Sequence, residues 1–235
     1  MEVLTVPTIV APRAKGLMKP YLHPILCDPA LKAYYTFEKA GATLRDLSGN
    51  GNHGTITGAT WVGKGRNGMA LDFEKDNSDT VDCGSATNCD FTTELFSIAL
   101  WVKFESGSFQ GLIQKYAAGK GFRLYKGGGG DTGTFTMETS NGATTKTTDS
   151  TMHTVIGVWN HGVFVRDSAT TGKMYVNGVD DTVTGDTVNM LSPAGNNLII
   201  SPSVIANFDG LMDSVLIFNR ALSPIEVKNL YEAGL

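Results

Sequence analysis

The feature that most constrains the fold is a nine-residue segment in which every second side chain is large and apolar. It runs from Phe96 to Phe104 and reads FSIALWVKF. A period of two places these apolar side chains on one face of a β-strand, so the segment predicts a strand of the core. Shorter runs of the same kind predict further strands at 31–37, 154–159, 173–176, 179–183, 198–200 and 211–218.

Turn and cap residues indicate how these segments are joined. Asn177-Gly178 lies between two of the short runs, and Asn-Gly suits the positive φ angles of a two-residue hairpin turn. One helix is predicted, at the end of the chain: Ser223 is a good N-cap, Pro224 suits the first helical position, and Glu226 completes a capping box. Many short strands with a single helix favour a two-sheet β-sandwich.

Composition and charge exclude several classes of protein. The chain has 235 residues with a net charge of −4, and it lacks the clustered Lys and Arg that nucleic acid binding requires. No apolar run reaches the roughly 18 residues of a membrane span, and the N-terminus does not resemble a signal peptide. Cys83 and Cys89 either bridge a short loop or remain thiols, and the sequence leaves both alternatives open.

Residues 1–30 differ from the rest because they contain five of the eight prolines. Proline removes a backbone donor and biases the preceding residue to extended geometry, so we predict an extended N-terminal arm followed by one domain over residues 31–235. Such an arm is either a disordered leader or a segment that docks on a partner, including a second copy of the chain. Its net charge is positive, whereas the remainder of the chain is acidic.

An ordered set of motifs resembles the laminin G-like, concanavalin A-like lectin and glucanase family over about residues 31–234. Asp46–Gly54 reads DLSGNGNHG and is similar to the family's D-x-S-G-N-G-N-x-G turn. The strand at 97–103, the hairpin at 174–178 and the closing segment at 208–223 follow in the family's order. The resemblance implies an all-β, two-sheet antiparallel jelly-roll sandwich with a short C-terminal helix.

Members of this family often hold a structural calcium ion, and the resemblance implies one here. Calcium takes carboxylate, amide and backbone oxygens from flexible turns, which the Asp46–Asn50 turn supplies. The first and last strands are neighbours in such sandwiches, so we expect Asp46, Asn50 and Asp213 as ligands. The alternative is that Asp46 and Asn50 bond only their own turn backbone.

Some relatives of this fold cleave polysaccharides with acids at alternate positions of one strand. The nearest match is Glu74–Asp79. Ser78 stands there in the place of the third alternating acid, and the composition of the segment is typical of a turn. We therefore predict no catalytic residues, and we place glycan binding on Trp101 and Lys103, with Arg123 and Tyr125 on the same surface. Because each sheet buries one face, the alternative for an aromatic residue such as Trp101 is burial.

These observations predict a non-catalytic, lectin-like binding or attachment module whose partner is a glycan or cell-surface polysaccharide. Such a module is made in the cytoplasm, and it suits a surface-displayed component of an assembly, such as a decoration or receptor-binding protein of a phage virion anchored by residues 1–30. Two alternatives are an accessory carbohydrate-binding module and a glycoside hydrolase or polysaccharide lyase of the same fold.

Overall fold

The computed structural model describes residues 23–128, 132–151, 154–192, 195–202 and 206–235. Its regular structure is almost entirely antiparallel β. The strands are β1 Leu31–Tyr35, β2 Thr43–Leu44, β3 Gly54–Thr57, β4 Thr60–Val62, β5 Ala70–Phe73, β6 Thr80–Asp82, β7 Phe96–Phe104, β8 Gln110–Ala117, β9 Lys120–Gly127, β10 Thr132–Asn141, β11 Thr145–Ser150, β12 Thr154–Val155, β13 Trp159–Arg166, β14 Gly172–Val176, β15 Val179–Asp180, β16 Thr182–Gly185, β17 Ile199–Ile200 and β18 Gly210–Phe218. The helix α1 spans Pro224–Ala233, and short 3-10 turns lie at Pro24–Cys27, Lys75–Asn77 and Thr87–Cys89.

Two sheets form the sandwich in the described part of the chain. We call the first the helix-side sheet; its order is β15-β14-β13-β7-β18-β5-β4, and β1 also pairs with β18. We call the second the open sheet; its order is β16-β11-β10-β9-β8-β17-β6-β3-β2, and β12 pairs with β10. The predicted sandwich and the predicted pairing of the first and last strands are therefore confirmed.

The main core lies between the two sheets and follows from the alternation read in the sequence. Phe96, Ile98, Leu100, Val102 and Phe104 of β7 all face it, and none is more than marginally exposed. The open sheet contributes Phe122 and Leu124 of β9 and Phe135 and Met137 of β10. Burying an aromatic or aliphatic side chain of this size stabilises the fold by about 1.5–3 kcal/mol, so this interface is the main source of stability.

A second apolar layer covers the outer side of the helix-side sheet. Val227 and Leu230 of α1 and Ile25 of the first 3-10 turn pack against outward side chains such as Val163 and Leu216. The helix begins at a capping box between Ser223 and Glu226, as predicted, and it ends at Gly234, which has the left-handed φ of 74° that glycine tolerates.

Several local predictions are confirmed and others need correction. Asn177 and Gly178 have φ angles of 51° and 81° and form the predicted hairpin turn between β14 and β15. The run at 154–159 is not one strand, because Gly157 adopts φ 76° and a turn separates β12 from β13. The consecutive strands β8 to β11 were not among the predicted ones, although they form the centre of the open sheet.

Residues 1–22 of the predicted arm lie outside the described residues. The end of the arm that is described contains the 3-10 turn, and its Ile25 is buried against the helix layer. Cys83 and Cys89 are buried free thiols rather than a disulfide, and Cys27 is an exposed free thiol. Among the described residues, no helix has the length and apolarity needed to cross a membrane.

Candidate functional site

The two sheets offer different outer surfaces. The outer side of the helix-side sheet is occupied around Trp101 by α1 and the chain end, whereas side chains of the open sheet line a pocket. We call the outward side of strands β8 to β11 the open face. Its side chains include Gln114, Tyr116, Arg123, Tyr125, Thr136, Glu138 and Asp149.

Trp101 does not provide the predicted stacking platform. It is 2 % exposed, its indole Nε1 donates to the Leu235 carbonyl at 3.1 Å, and its ring stacks on Tyr231 with centroids 5.5 Å apart. The Arg66 guanidinium lies over the same ring at 4.6 Å. The prediction failed because alternation assigns Trp101 to the outer side of β7 but does not show that α1 covers that side.

Lys103 lies two residues further along β7, opposite Leu211 and Trp159, on the same outer side. Arg123 and Tyr125 belong to β9 of the other sheet, and they alternate with the core residues Phe122 and Leu124. The four predicted residues therefore do not share a surface. Arg123 and Tyr125 lie on the open face, and Trp101 and Lys103 lie on the opposite side of the sandwich.

Cross-strand register brings polar side chains of the open face together. Gln114 of β8 is the partner of Arg123 in β9, and Arg123 is the partner of Glu138 in β10. Directly opposed side chains on one face have Cβ atoms about 4.5–5.5 Å apart, so neighbours in such a row interact. Arg123 Nη2 donates to Glu138 Oε2 at 2.7 Å, and the guanidinium stacks on the Tyr116 ring at 4.6 Å.

A pocket of about 540 Å³ opens at this row. Its lining includes Gln114, Tyr116, Arg123, Asn196, Asn197 and Ile199. Its walls combine amide groups, a guanidinium and a phenol with the apolar side chain of Ile199, which is the mixture typical of a pocket for a polar small molecule.

Hydrogen-bonding capacity is left over at the pocket. Gln114 is only 6 % exposed, yet its Oε1 has no hydrogen-bond partner, and Arg123 Nε has none either. Buried polar atoms are nearly always hydrogen-bonded, because an unsatisfied one costs about 1–3 kcal/mol. An acceptor and a donor without partners on adjacent strands indicate that this row has polar interactions still to make.

An aromatic pair lies beside the pocket on the same face. Phe109 is 41 % exposed, and its ring centroid is 4.9 Å from that of Tyr125. Burial, together with the nearby Glu138 and Asp149 carboxylates, raises the pKa of Tyr125 to about 12. Burial and Glu138 also raise the pKa of Tyr116. Both phenols therefore stay protonated at neutral pH and keep a hydroxyl donor.

The predicted calcium ligands are committed to backbone groups. Asp46 Oδ1 accepts from the N–H groups of Tyr34 and Ser48, at 3.0 and 2.9 Å, and Oδ2 accepts from Asn52 N–H at 2.9 Å. Asn50 Nδ2 donates to the Leu31 carbonyl at 3.0 Å. The alternative that both residues bond only their own turn backbone describes part of this pattern, through Ser48 and Asn52, but the bonds to Tyr34 and Leu31 also tie the turn to β1. They leave accepting capacity on Asp46 Oδ2, so calcium binding stays a prediction.

Asp213, the third predicted ligand, holds a different segment. It is fully buried on β18, and its Oδ2 accepts from Asn67 N–H at 3.0 Å. Burial raises its pKa to about 6, although the backbone N–H groups of Asn67, Ser214 and Arg66 oppose the shift. The carboxylate thus fixes the loop before β5 against the helix-side sheet.

A separate group of carboxylates lies at the ends of β5 and β7. Oxygens of Asp72, Glu74 and Glu105 lie within 4.8 Å of one another. Burial raises the pKa of each; repulsion from Asp72 adds to the shift of Glu74 and Glu105, and repulsion from Asp209 adds to the shift of all three. Lys103 and Lys64 lower the pKa of Glu105, which places Lys103 beside this cluster. Glu74 and Glu105 are exposed, so the cluster forms part of the rim of the sandwich.

Sequence reasoning found two residues of the open face and missed Phe109, Gln114, Tyr116 and Glu138. Arg123 and Tyr125 stood out because they alternate with apolar residues. The same alternation continues through Gln114 and Tyr116, but a β-bulge between Gly111 and Ile113 changes the pairing of β8. Leu112 and Ile113 then both face the core, so the period of two is broken just before Gln114.

The two packed antiparallel sheets define a jelly-roll β-sandwich. The chain belongs to the concanavalin A-like lectin/glucanases superfamily, since the family model of that description matches residues 75–228, more than half of the chain. The resemblance read in the motifs is therefore confirmed. No protein with curated function matches the sequence.

Solved structures of similar shape include one domain of an extracellular enzyme and binding domains of toxins. Domain 4 of an extracellular arabinanase from Geobacillus stearothermophilus, in complex with arabinotriose, has a TM-score of 0.67 at 21 % identity, over 86 % of this chain and 98 % of that domain. The binding domain of Paraclostridial Mosquitocidal Protein 1 has a TM-score of 0.70 at 15 % identity, over 87 % of this chain and 52 % of that one.

A third similar structure is the binding domain of botulinum neurotoxin DC in complex with SialylT. Its TM-score is 0.61 at 13 % identity, and the match covers 87 % of this chain and 52 % of that one. The chain thus spans about half of the two toxin binding domains and nearly all of the arabinanase domain. At these identities the similarity shows the fold.

Proposed function

We propose that this protein is a non-catalytic, lectin-like module that binds an oligosaccharide on its open face. The observation that carries the proposal is the pocket beside Arg123, where buried Gln114 keeps an unpartnered carbonyl oxygen. Sugar hydroxyls both donate and accept hydrogen bonds, so one hydroxyl satisfies Gln114 Oε1 as a donor and Arg123 Nε as an acceptor.

The aromatic pair extends the site along β9. Arg123 and Tyr125 are two residues apart on one strand, which corresponds to about 7 Å. This spacing suits neighbouring sugar units, with one unit in the pocket and the next against the exposed Phe109 ring. Aromatic rings supply large apolar contact area with a defined orientation, which complements the apolar faces of sugar rings.

The comparisons support the class of ligand. The arabinanase domain, which this chain matches over 98 % of its length, is bound to arabinotriose, and the neurotoxin binding domain is bound to SialylT. Both are domains of larger proteins. An accessory carbohydrate-binding module therefore fits the same observations. Nothing in the fold bears on the predicted role in a virion, which stays a prediction.

A glycoside hydrolase is the second candidate, and the carboxylate cluster favours it. Retaining glycosidases place two carboxyl groups about 5–5.5 Å apart, and Asp72, Glu74 and Glu105 have oxygens within 4.8 Å of one another. Binding without catalysis is the stronger proposal, because Glu74 and Glu105 are exposed on the rim and lie on the sheet opposite the pocket. An assay on arabinan, galactan, β-glucan and alginate distinguishes the two candidates. We expect no cleavage of any of them. Cleavage that is lost in Glu105→Gln would establish that the protein is an enzyme.

A glycan-array screen of the intact protein tests the binding proposal. It is run with calcium and again with a chelator, so that it also tests the predicted calcium dependence. We expect binding to one class of glycan, reduced at least tenfold in Arg123→Lys, which keeps the charge but loses Nε and the planar stack on Tyr116.

The matched control is Lys173→Ala. Lys173 also forms an ion pair, with Asp180 at 3.0 Å, but it lies on β14 of the helix-side sheet. Binding should be unchanged in this variant. Absence of binding to every glycan in both conditions, or equal losses in the two variants, would contradict the proposal.

A further inference from the structure

The charge pattern of the open sheet is more specific than its shape. Two rows of cross-strand partners cross the outward side. The first is Thr55, Asp82, Ile199, Gln114, Arg123, Glu138 and Thr147, and the second is Gly111, Tyr125, Thr136, Asp149 and Thr184. These two rows contain one arginine and three carboxylates, so together they are net negative.

The single arginine of these rows is already neutralised. Glu138 is 6 % exposed, and its Oε2 accepts from Arg123 Nη2 at 2.7 Å. A ligand carboxylate that approached Arg123 would meet the Glu138 charge at short range in a partly desolvated place, where repulsion is screened less than in water. A carboxylate that replaced Glu138 on Arg123 Nη2 would leave Glu138 buried without its cation, and one that bound at the unpartnered Nε would still lie close to the Glu138 charge.

The other carboxylates of the rows are held in place rather than free to turn away. Asp149 accepts from the hydroxyls of Thr136 and Thr147, at 2.7 and 2.9 Å. Asp82 accepts from Asn197 Nδ2 at 2.9 Å, at the edge of the pocket. Both negative charges therefore stay on the outward side when a ligand arrives.

The unmet hydrogen bonds at the pocket call for a hydroxyl, which neutral and acidic sugars both carry, rather than for a carboxylate. Gln114 Oε1 needs a donor. A carboxylate at neutral pH only accepts hydrogen bonds, whereas a hydroxyl supplies the donor and also accepts from Arg123 Nε. A sugar unit that meets this row must therefore present a hydroxyl.

From these observations we propose that the open face selects neutral glycans and rejects glycans that carry carboxylates. The inference rests on the proposed function, because it specifies the ligand of the same site. It assigns two separate roles: Gln114 recognises a hydroxyl, and Glu138 with Asp149 excludes acidic sugars.

Calorimetric titration with two matched sets of oligosaccharides tests the inference. The neutral set is arabinotriose, galactotriose and a β-gluco-oligosaccharide, and the acidic set is sialyllactose, a galacturonic acid trimer and an alginate trimer. We expect at least tenfold tighter binding of one neutral ligand than of any acidic one. We also expect its affinity to change less than about twofold between about 50 and about 500 mM NaCl, because no ion pair forms with the ligand.

Variants separate the two roles. Gln114→Met keeps the length and burial of the side chain, so we expect it to fold and to weaken neutral binding about tenfold through the lost hydrogen bond. Asp149→Asn should reduce the difference in affinity between acidic and neutral ligands at low salt. Glu138→Gln should do the same, provided that circular dichroism shows it to be folded. Lys173→Ala is the control with no expected change.

The outcomes distinguish the two proposals. Tighter binding of an acidic oligosaccharide, weakened by salt, would overturn the neutral selection and leave the glycan-binding function standing. The neutral selection would also be overturned if the difference in affinity between acidic and neutral ligands were unchanged in Asp149→Asn and in folded Glu138→Gln. Failure of every oligosaccharide in both sets to bind would overturn the proposed function itself.

Discussion

At the residue scale, buried ionisable groups on the helix side of the sandwich control its response to acid. His161 is completely buried against the rings of Trp101 and Tyr231, with centroids 4.9 and 5.9 Å away. Burial, aided by the nearby Arg66 cation, lowers its pKa from 6.5 to about 3. The unfolded chain therefore binds a proton between these values when the folded chain does not.

This shift predicts a specific loss of stability in acid. The contribution of His161 is fully present above its unfolded pKa and is lost as pH falls through the window between 6.5 and about 3. His161→Phe keeps the ring stack and removes the titration. When the pH is lowered from about 7.5 to about 5, the unfolding free energy of this variant should fall by about 2 kcal/mol less than that of the wild type. Urea denaturation at both pH values measures this, and identical pH slopes would exclude the mechanism.

A buried lysine connects separate loops through its hydrogen bonds and its ion pair. Lys115 is 1 % exposed, and its Nζ donates to the carbonyls of Ser85 and Asn196 and pairs with Asp90 at 2.9 Å. Lys115→Met removes the cation from all three partners, so we expect a loss of about 3 kcal/mol in urea denaturation. The matched control is Lys146→Met, because Lys146 pairs with Asp186 in solvent, where such a pair contributes less than about 1 kcal/mol. Equal losses of unfolding free energy in the two variants would contradict this stabilising role of Lys115.

At the scale of single elements, the helix begins where its cap is fixed. Ser223 Oγ accepts from Glu226 N–H at 3.4 Å, and Glu226 Oε2 accepts from Ser223 N–H at 2.7 Å. Ser223→Ala should cost about 1 kcal/mol, whereas Ser223→Asn, which retains a capping oxygen, should cost less than about half of that. Urea denaturation followed by tryptophan fluorescence measures both, because Trp101 lies beneath this helix. A larger loss in the Asn variant would show that the cap is not the cause.

The same scale shows how far the sequence predicts this structure. The strand at Phe96–Phe104, the Asn177-Gly178 turn and α1 are determined by local patterns, so they could be read directly. Strands β8 to β11 could not, because Lys115 and Lys126 lie among their buried residues and a bulge interrupts β8. The candidate site lies on these strands, so local pattern located Arg123 and Tyr125 but not the pocket around them.

At the scale of the whole molecule, the position of the site follows from which sheet is covered. Helix α1 and the first 3-10 turn pack on the helix-side sheet, and Tyr231 of α1 with the chain end covers Trp101, so the face predicted to bind glycan is used for stability. Alternation assigns a residue to one of two faces, but contacts between segments distant in the sequence decide whether that face meets solvent. This is why Trp101 and Arg123 were predicted together and lie on opposite sides.

The calcium prediction also concerns the whole fold, because the Asp46 turn fastens the first strand to the sandwich through Tyr34 N–H. If calcium binds there, adding it to chelator-treated protein should raise the melting temperature by about 2–4 °C for each kcal/mol of stabilisation, and Asp46→Asn should abolish the response. If the hydrogen bonds act alone, calcium should leave the melting temperature unchanged while Asp46→Asn still lowers it. Differential scanning calorimetry of both proteins distinguishes these results. An unchanged melting temperature of the wild type in calcium would exclude a calcium site at this turn.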